Sequence, residues 1–125
     1  KVRKAVGPRF PIGIKINSSD MIEGGLTPKD ALEFVRILDG TSIDLIEISG
    51  GTYFPGTKSS SEGAAKGPYF LDFAEQARLA TKIPLMLTGG FKSHQQAVDA
   101  LASGHVDLVG LARANCRLTT RLLLL

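Results

Sequence analysis

The chain has 125 residues and a net charge of +3, and it is 43% hydrophobic, 22% charged and 6% aromatic, with 14 glycines. Those figures suit one globular domain and exclude a disordered or fibrous chain. The basic residues form no stripe interleaved with aromatics, so nucleic acid is not an expected partner, and the longest apolar run, residues 122–125, is far short of the roughly 20 needed to span a membrane.

The first apolar run, residues 12–17 (IGIKIN), reads as a strand. Thr27 then caps a helix with Pro28 at its first position, and Leu32, Val35, Ile37 and Leu38 form its apolar stripe. Residues 43–51 (IDLIEISGG) form the second strand, followed by a long polar loop, 51–67, that is either a substrate loop or a mobile surface segment. A second helix spans 69–81, with Phe70, Phe73, Ala74 and Ala77 on one side. The third strand is 83–90 (IPLMLTGG). The third helix, 93–103, is capped by Ser93, carries Ala97, Val98, Leu101 and Ala102, and closes at Gly104. Residues 106–113 (VDLVGLAR) complete the series as a fourth strand.

Strict alternation of strand and helix implies parallel strands joined by right-handed crossovers. The choices are an open doubly wound sheet or part of a (β/α)8 barrel. A full barrel takes about 250 residues, so four βα units in this length match half of one. No GxGxxG follows any strand to favour a dinucleotide fold. The expected fold class is therefore α/β, a partial (β/α)8 TIM barrel.

Barrel ligands sit at the C-terminal strand ends. In the first strand Ile12, Ile14 and Ile16 share the helix-facing side, while Gly13, Lys15 and Asn17 point inward. An inward lysine needs a partner, and Glu47 on the next strand is the expected one. Lys15 is either half of a structural ion pair or a cation for electron-rich ligand atoms, and the two roles are compatible. Gly89 and Gly90 join the third strand to a helix N-terminus, and Gly110, Leu111, Ala112 and Arg113 end the fourth. Two adjacent joints of this kind match the habit of barrels to build a phosphate site after the seventh and eighth strands. Arg113 would grip phosphate oxygens in a bidentate manner. His94 and His105 read as solvent-facing, and Cys116 as inert. As the sole cysteine, Cys116 forms no internal disulfide, which suggests a reducing, cytoplasmic compartment. No His/Cys cluster has metal spacing. The start, Lys1-Val2-Arg3-Lys4, has neither a signal peptide nor an initiator Met, and a fragment is expected.

IGIKIN with Ser-Ser-Asp and a glycine pair, then DLIEISGGTY, PYFLDFAE, IPLMLTGGF and DLVGLAR, closely resemble the old yellow enzyme family, most nearly its NADH:flavin oxidoreductase/NADH oxidase branch. The resemblance covers residues 2–113 and implies the C-terminal half of a flavin-binding barrel, strands five to eight. It implies FMN as cofactor, with Lys15 beside the flavin N1/C2 edge. Gly89 and Gly90 would hold the phosphate from one side, and Gly110 to Arg113 from the other. NADH or NADPH would act as reductant, and a hydride would pass through the flavin to an activated alkene or similar small-molecule acceptor. The family's substrate-carbonyl ligands and proton donor belong to earlier strands, so no catalytic residue is assigned. Residues 114–125 depart from the family pattern and read as an atypical tail. The open strand edges of a half-barrel invite association, including with a second copy. Three other readings remain. One is a phosphate-binding half-barrel module without redox activity, and another is a truncated product without activity. The third is an aldolase or isomerase using Lys15 as a Schiff-base nucleophile.

Overall fold

The structure, a computed structural model, describes residues 1–51 and 67–111. Four strands, β1 (Gly13–Asn17), β2 (Leu45–Ser49), β3 (Leu85–Thr88) and β4 (Leu108–Gly110), form one parallel sheet in sequential order. Helices α2 (Pro28–Asp39), α3 (Leu71–Ala80) and α4 (His94–Ala102) lie between them in the chain, preceded by the short α1 (Val2–Val6). Each crossover moves one strand in the same direction, and the sheet order never reverses. That progression belongs to a barrel wall, whereas a doubly wound sheet reverses its strand order at a switch point.

Burial divides the sheet's faces. Ile16, Ile46, Ile48, Leu85 and Leu87 are buried against Ala31, Val35 and Leu38 of α2, Phe73, Ala74 and Ala77 of α3, and Ala100 of α4. The alternate residues, including Lys15, Glu47 and Met86, occupy the other face, which in a closed barrel is the interior.

Helices α2 and α4 begin where expected, and α3 begins at Leu71 rather than Tyr69. Thr27 accepts from the Asp30 amide while the Asp30 carboxylate accepts from the Thr27 amide, a complete capping box with Pro28 behind it. Ser93 caps α4 through the Gln96 amide, and Gly104 follows the helix with φ of 73°. Two apolar stripes differ from expectation. In α2 the buried set is Ala31, Val35 and Leu38, at i, i+4 and i+7, and Ile37 falls outside that arc at 60% exposure. In α4 Ala100 faces the sheet, whereas Val98 and Leu101 are 40% and 43% exposed.

Helix α1 is an element that the hydrophobic pattern did not signal, since all its residues are partly or fully exposed. Arg3 holds it in place. Its guanidinium donates to the carbonyls of Gly7, Phe10 and Ser42 and to Asp44 Oδ2 at 2.5 Å. The same Asp44 oxygen accepts from the Ile12 amide at 2.7 Å, and the Asp44 amide donates back to the Ile12 carbonyl at 2.8 Å. The arrangement recurs two strands later. Asp107 Oδ2 accepts from the Leu85 amide at 2.8 Å, its own amide donates to the Leu85 carbonyl at 2.9 Å, and Arg78 completes the ion pair at 3.0 Å. Between β2 and β3, where Pro84 stands ahead of the strand, Asp39 instead receives the Thr81 hydroxyl at 2.5 Å and the Lys82 amide at 2.9 Å.

These bonds favour the charged carboxylate. The Ile12 amide, followed by Arg3, holds Asp44 below its ordinary 3.8, and Thr81 followed by the Lys82 amide does the same for Asp39. A depressed folded-state pKa stabilises fully above the unfolded value, and that contribution is lost as pH falls through the folded value. The melting temperature is therefore expected to drop below about pH 4. Asp44→Asn should lower it at neutral pH and flatten the acid limb, without abolishing it because Asp39 still titrates. Thermal unfolding followed by circular dichroism across this range checks the expectation; an Asp44→Asn limb as steep as that of the wild type would contradict it.

Candidate functional site

The strand ends converge at one rim. β1 runs into Ser18, whose amide donates to the Ser49 carbonyl at 2.7 Å, and the Gly51 amide donates to the Ser19 carbonyl at 2.7 Å. Asp20 organises the turn that follows, taking the Asn17 side-chain amide at 2.8 Å and the Leu26 amide at 2.9 Å. These two bonds, Asn17 first, keep Asp20 charged by lowering its pKa. The first two strand ends are thus bonded together and their loop is strapped down.

Lys15 lies opposite Glu47 in the register, and Nζ reaches Oε1 at 3.0 Å. The lysine side chain is 57% exposed and the glutamate 22%. The expected pair exists, and it sits on the open face rather than in an apolar interior. Glu47 is followed across that face by Met86, and Met86 by Leu108, so the cation heads a row whose other half is apolar.

Thr88, Gly89 and Gly90 end β3. Both glycines have positive φ, 118° and 83°, which side-chain-bearing residues rarely adopt. A Cβ on Gly90 would collide with the Gly67 carbonyl and meet the Tyr69 ring at 3.0 Å, so glycine is required there by close backbone packing. Gly110 pairs with Thr88 in the register, and any Cβ on it would run into the Thr88 hydroxyl. Gly89, Gly90 and Gly110 are therefore brought together. Lys15 is not among them: β1 stands three interstrand spacings, roughly 14 Å, from β4. Leu111 follows on the rim, exposed, while Ala112 and Arg113 lie outside the described residues, as does most of the 51–67 loop.

Thr88 was not among the residues singled out from sequence. Its Oγ1 is buried and has no hydrogen-bond partner among the described residues. It packs against Gly110 and stands one residue ahead of Gly89 in the chain. The signal was present as the first residue of the Thr-Gly-Gly triplet, but a threonine ending a strand ordinarily reads as β propensity.

A sheet whose strands advance one at a time, with helices on one face and a glycine-built rim at the strand ends, defines a β/α-barrel protein of the type that binds ligands at its C-terminal mouth. The sequence profile of the NADH:flavin oxidoreductase / NADH oxidase family matches residues 1–122, and the chain belongs to that family. It is 38% identical, over 90% of its length, to an NADH-dependent flavin oxidoreductase of Neonectria sp., of which it covers 16%. It is 33% identical, over 82% of its length, to an NADPH dehydrogenase of Geobacillus thermodenitrificans, of which it covers 29%. Among solved structures it is similar to 2-naphthoyl-CoA reductase in complex with 2-naphthoyl-CoA, with a TM-score of 0.78 and 29% identity over 90% of this chain and 17% of that one. Histamine dehydrogenase from Rhizobium sp. 4-9, at 22% identity and a TM-score of 0.68, shares the fold. The chain thus spans less than a third of the length of each of these relatives. The partial barrel expected from four βα units is what these likenesses support.

Thr88→Val replaces the unpartnered hydroxyl with a methyl of similar volume. It should leave stability unchanged or slightly raised, because no bond is lost and a desolvated polar atom is removed. Gly90→Ala should cost at least about 1–2 kcal/mol for the left-handed backbone alone. Urea unfolding of the two variants checks both; a strongly destabilised Thr88→Val would mean that the hydroxyl has a structural partner.

Proposed function

We propose that this chain forms the FMN-phosphate half of an NAD(P)H-dependent flavin oxidoreductase, with the ligand lying along the C-terminal rim. The observation that carries the reading is the buried Thr88 hydroxyl, without a partner among the described residues, which packs against Gly110 at the strand end that runs into the positive-φ pair Gly89 and Gly90. The side-chain positions of these glycines are filled by protein, so an anion would be received by the backbone amides of the turn and by the N-terminus of α4, which begins four residues beyond Gly90. Those features fit a phosphate ester. Ala112 and Arg113 are included from the sequence as the far side of the grip, with the guanidinium pairing two oxygens.

Lys15 holds a positive charge on the same face, oriented by Glu47. The distance between Lys15 and the glycine cluster suits an elongated ligand held by phosphate at one end and by an electron-rich ring edge at the other. FMN, when bound, supplies the two-electron chemistry between a nicotinamide donor and an acceptor such as an activated alkene. The chain's own contribution is to anchor the phosphate and to favour negative charge near Lys15. In this reading residues 1–113 are the half-barrel and 114–125 an atypical tail, and the protein works in the reducing cytoplasm.

Titration of the purified chain with FMN, read by quenching of flavin fluorescence, should show saturable binding. Arg113→Ala should weaken it by about 10- to 100-fold, the loss of charge-assisted bonds. Riboflavin, which lacks the phosphate, should bind more weakly than FMN. A chain that unfolds cooperatively yet binds no FMN would overturn the reading.

A further inference from the structure

We propose that Phe70 is a positioning residue that sets the spacing and shape of the glycine turn at the end of β3, an inference that rests on the phosphate reading above. Phe70 is 4% exposed and precedes α3 as its N-cap residue, although it has no polar side chain with which to cap. Its aromatic ring is wedged between two strand ends. One edge faces Gly50, just past β2: a Cβ there would lie 2.8 Å from Cε1 and 3.0 Å from Cζ. The opposite edge faces Gly89, just past β3, where a Cβ would lie 3.1 Å from Cε2. A side chain at Gly50 would clash with the ring, and one at Gly89 would crowd it as well as strain a φ of 118°.

The neighbouring residues extend this contact to the turn itself. The Tyr69 ring stands at 80° to that of Phe70 with centroids 6.0 Å apart, and it lies against Gly89 and Gly90. The Tyr69 amide donates to the Gly89 carbonyl at 3.4 Å, and the Gly67 carbonyl packs against Gly90. Gly89 and Gly90 have no side chains through which to hold their own positive-φ conformation. Residues 67–70 supply that restraint from outside, and Phe70 is the part buried firmly enough to anchor the rest.

Phe73 provides the control. It is also buried, at 7%, on the helix that follows, and none of its atoms is among those nearest to a Cβ built at Gly50, Gly89 or Gly90. Both Phe70→Leu and Phe73→Leu should lower the melting temperature. Only Phe70→Leu should change the ratio of FMN to riboflavin affinity, by about tenfold, because only the phosphate end of the ligand meets the displaced turn. Dissociation constants for both flavins, measured on the full chain and the two variants, decide the matter. A Phe70→Leu ratio equal to that of the wild type, or an equal change in Phe73→Leu, overturns the positioning role while leaving the phosphate reading intact. A wild-type chain with no preference for FMN over riboflavin overturns both. Should Phe70→Leu fail to unfold cooperatively, Phe70→Tyr, whose added hydroxyl at Cζ must displace the ring from Gly50, is expected to change the same ratio, and a wild-type ratio in that variant overturns the positioning role.

Discussion

Asp44 sits one residue ahead of β2 and holds the start of β1 through both its amide and its carboxylate, while Arg3 closes the third side. Asp107 does the same for β3 and β4 with Arg78. A parallel pair has no hairpin to set its register, so something at the strand starts must do so. Here a carboxylate ahead of one strand takes an amide at the start of its neighbour, and so fixes which residue of one strand stands opposite which residue of the next. Once those registers are set, Lys15 must face Glu47 and Thr88 must face Gly110. The glycine rim at one end of the sheet thus depends on polar clamps at the other.

The clamps also divide the sheet into two similar pairs, β1 with β2 and β3 with β4. The seam between them uses Pro84 and Asp39 in place of the strand-leading aspartate. At the rim, Phe70 fills the same seam from above, between the ends of β2 and β3. A proline, which donates no amide, and a ring packed between two glycines are the two features that set the middle junction apart.

Much of this was legible in the sequence because it follows from period and punctuation. The four apolar runs, the Thr27–Pro28 and Ser93 helix starts and the Lys15–Glu47 pairing all rest on alternation or capping chemistry that acts locally. What was not legible depends on distant neighbours. Helix α1 has no buried stripe and exists through the bonds of Arg3 to residues as far as Asp44. Ile37 and Val98 read as core residues in a helical pattern, yet their exposure is set by which side of each helix meets the sheet. The glycines were legible as a turn, but the reason Gly90 and Gly110 must be glycine lies in the Gly67 carbonyl and the Thr88 hydroxyl, contacts that no local spacing announces.

The rim formed by Thr88, Gly89, Gly90 and Gly110 is proposed to take the phosphate of a flavin nucleotide whose ring end approaches Lys15. A crystal structure of the chain grown with FMN tests it most directly. The account predicts phosphate oxygens within hydrogen-bonding distance of backbone amides in 88–90 or 110–113, with the ring on the face that carries Lys15. Phosphate density on the helical side of the sheet, or a ring at the glycine turn with its phosphate toward Lys15, would contradict it.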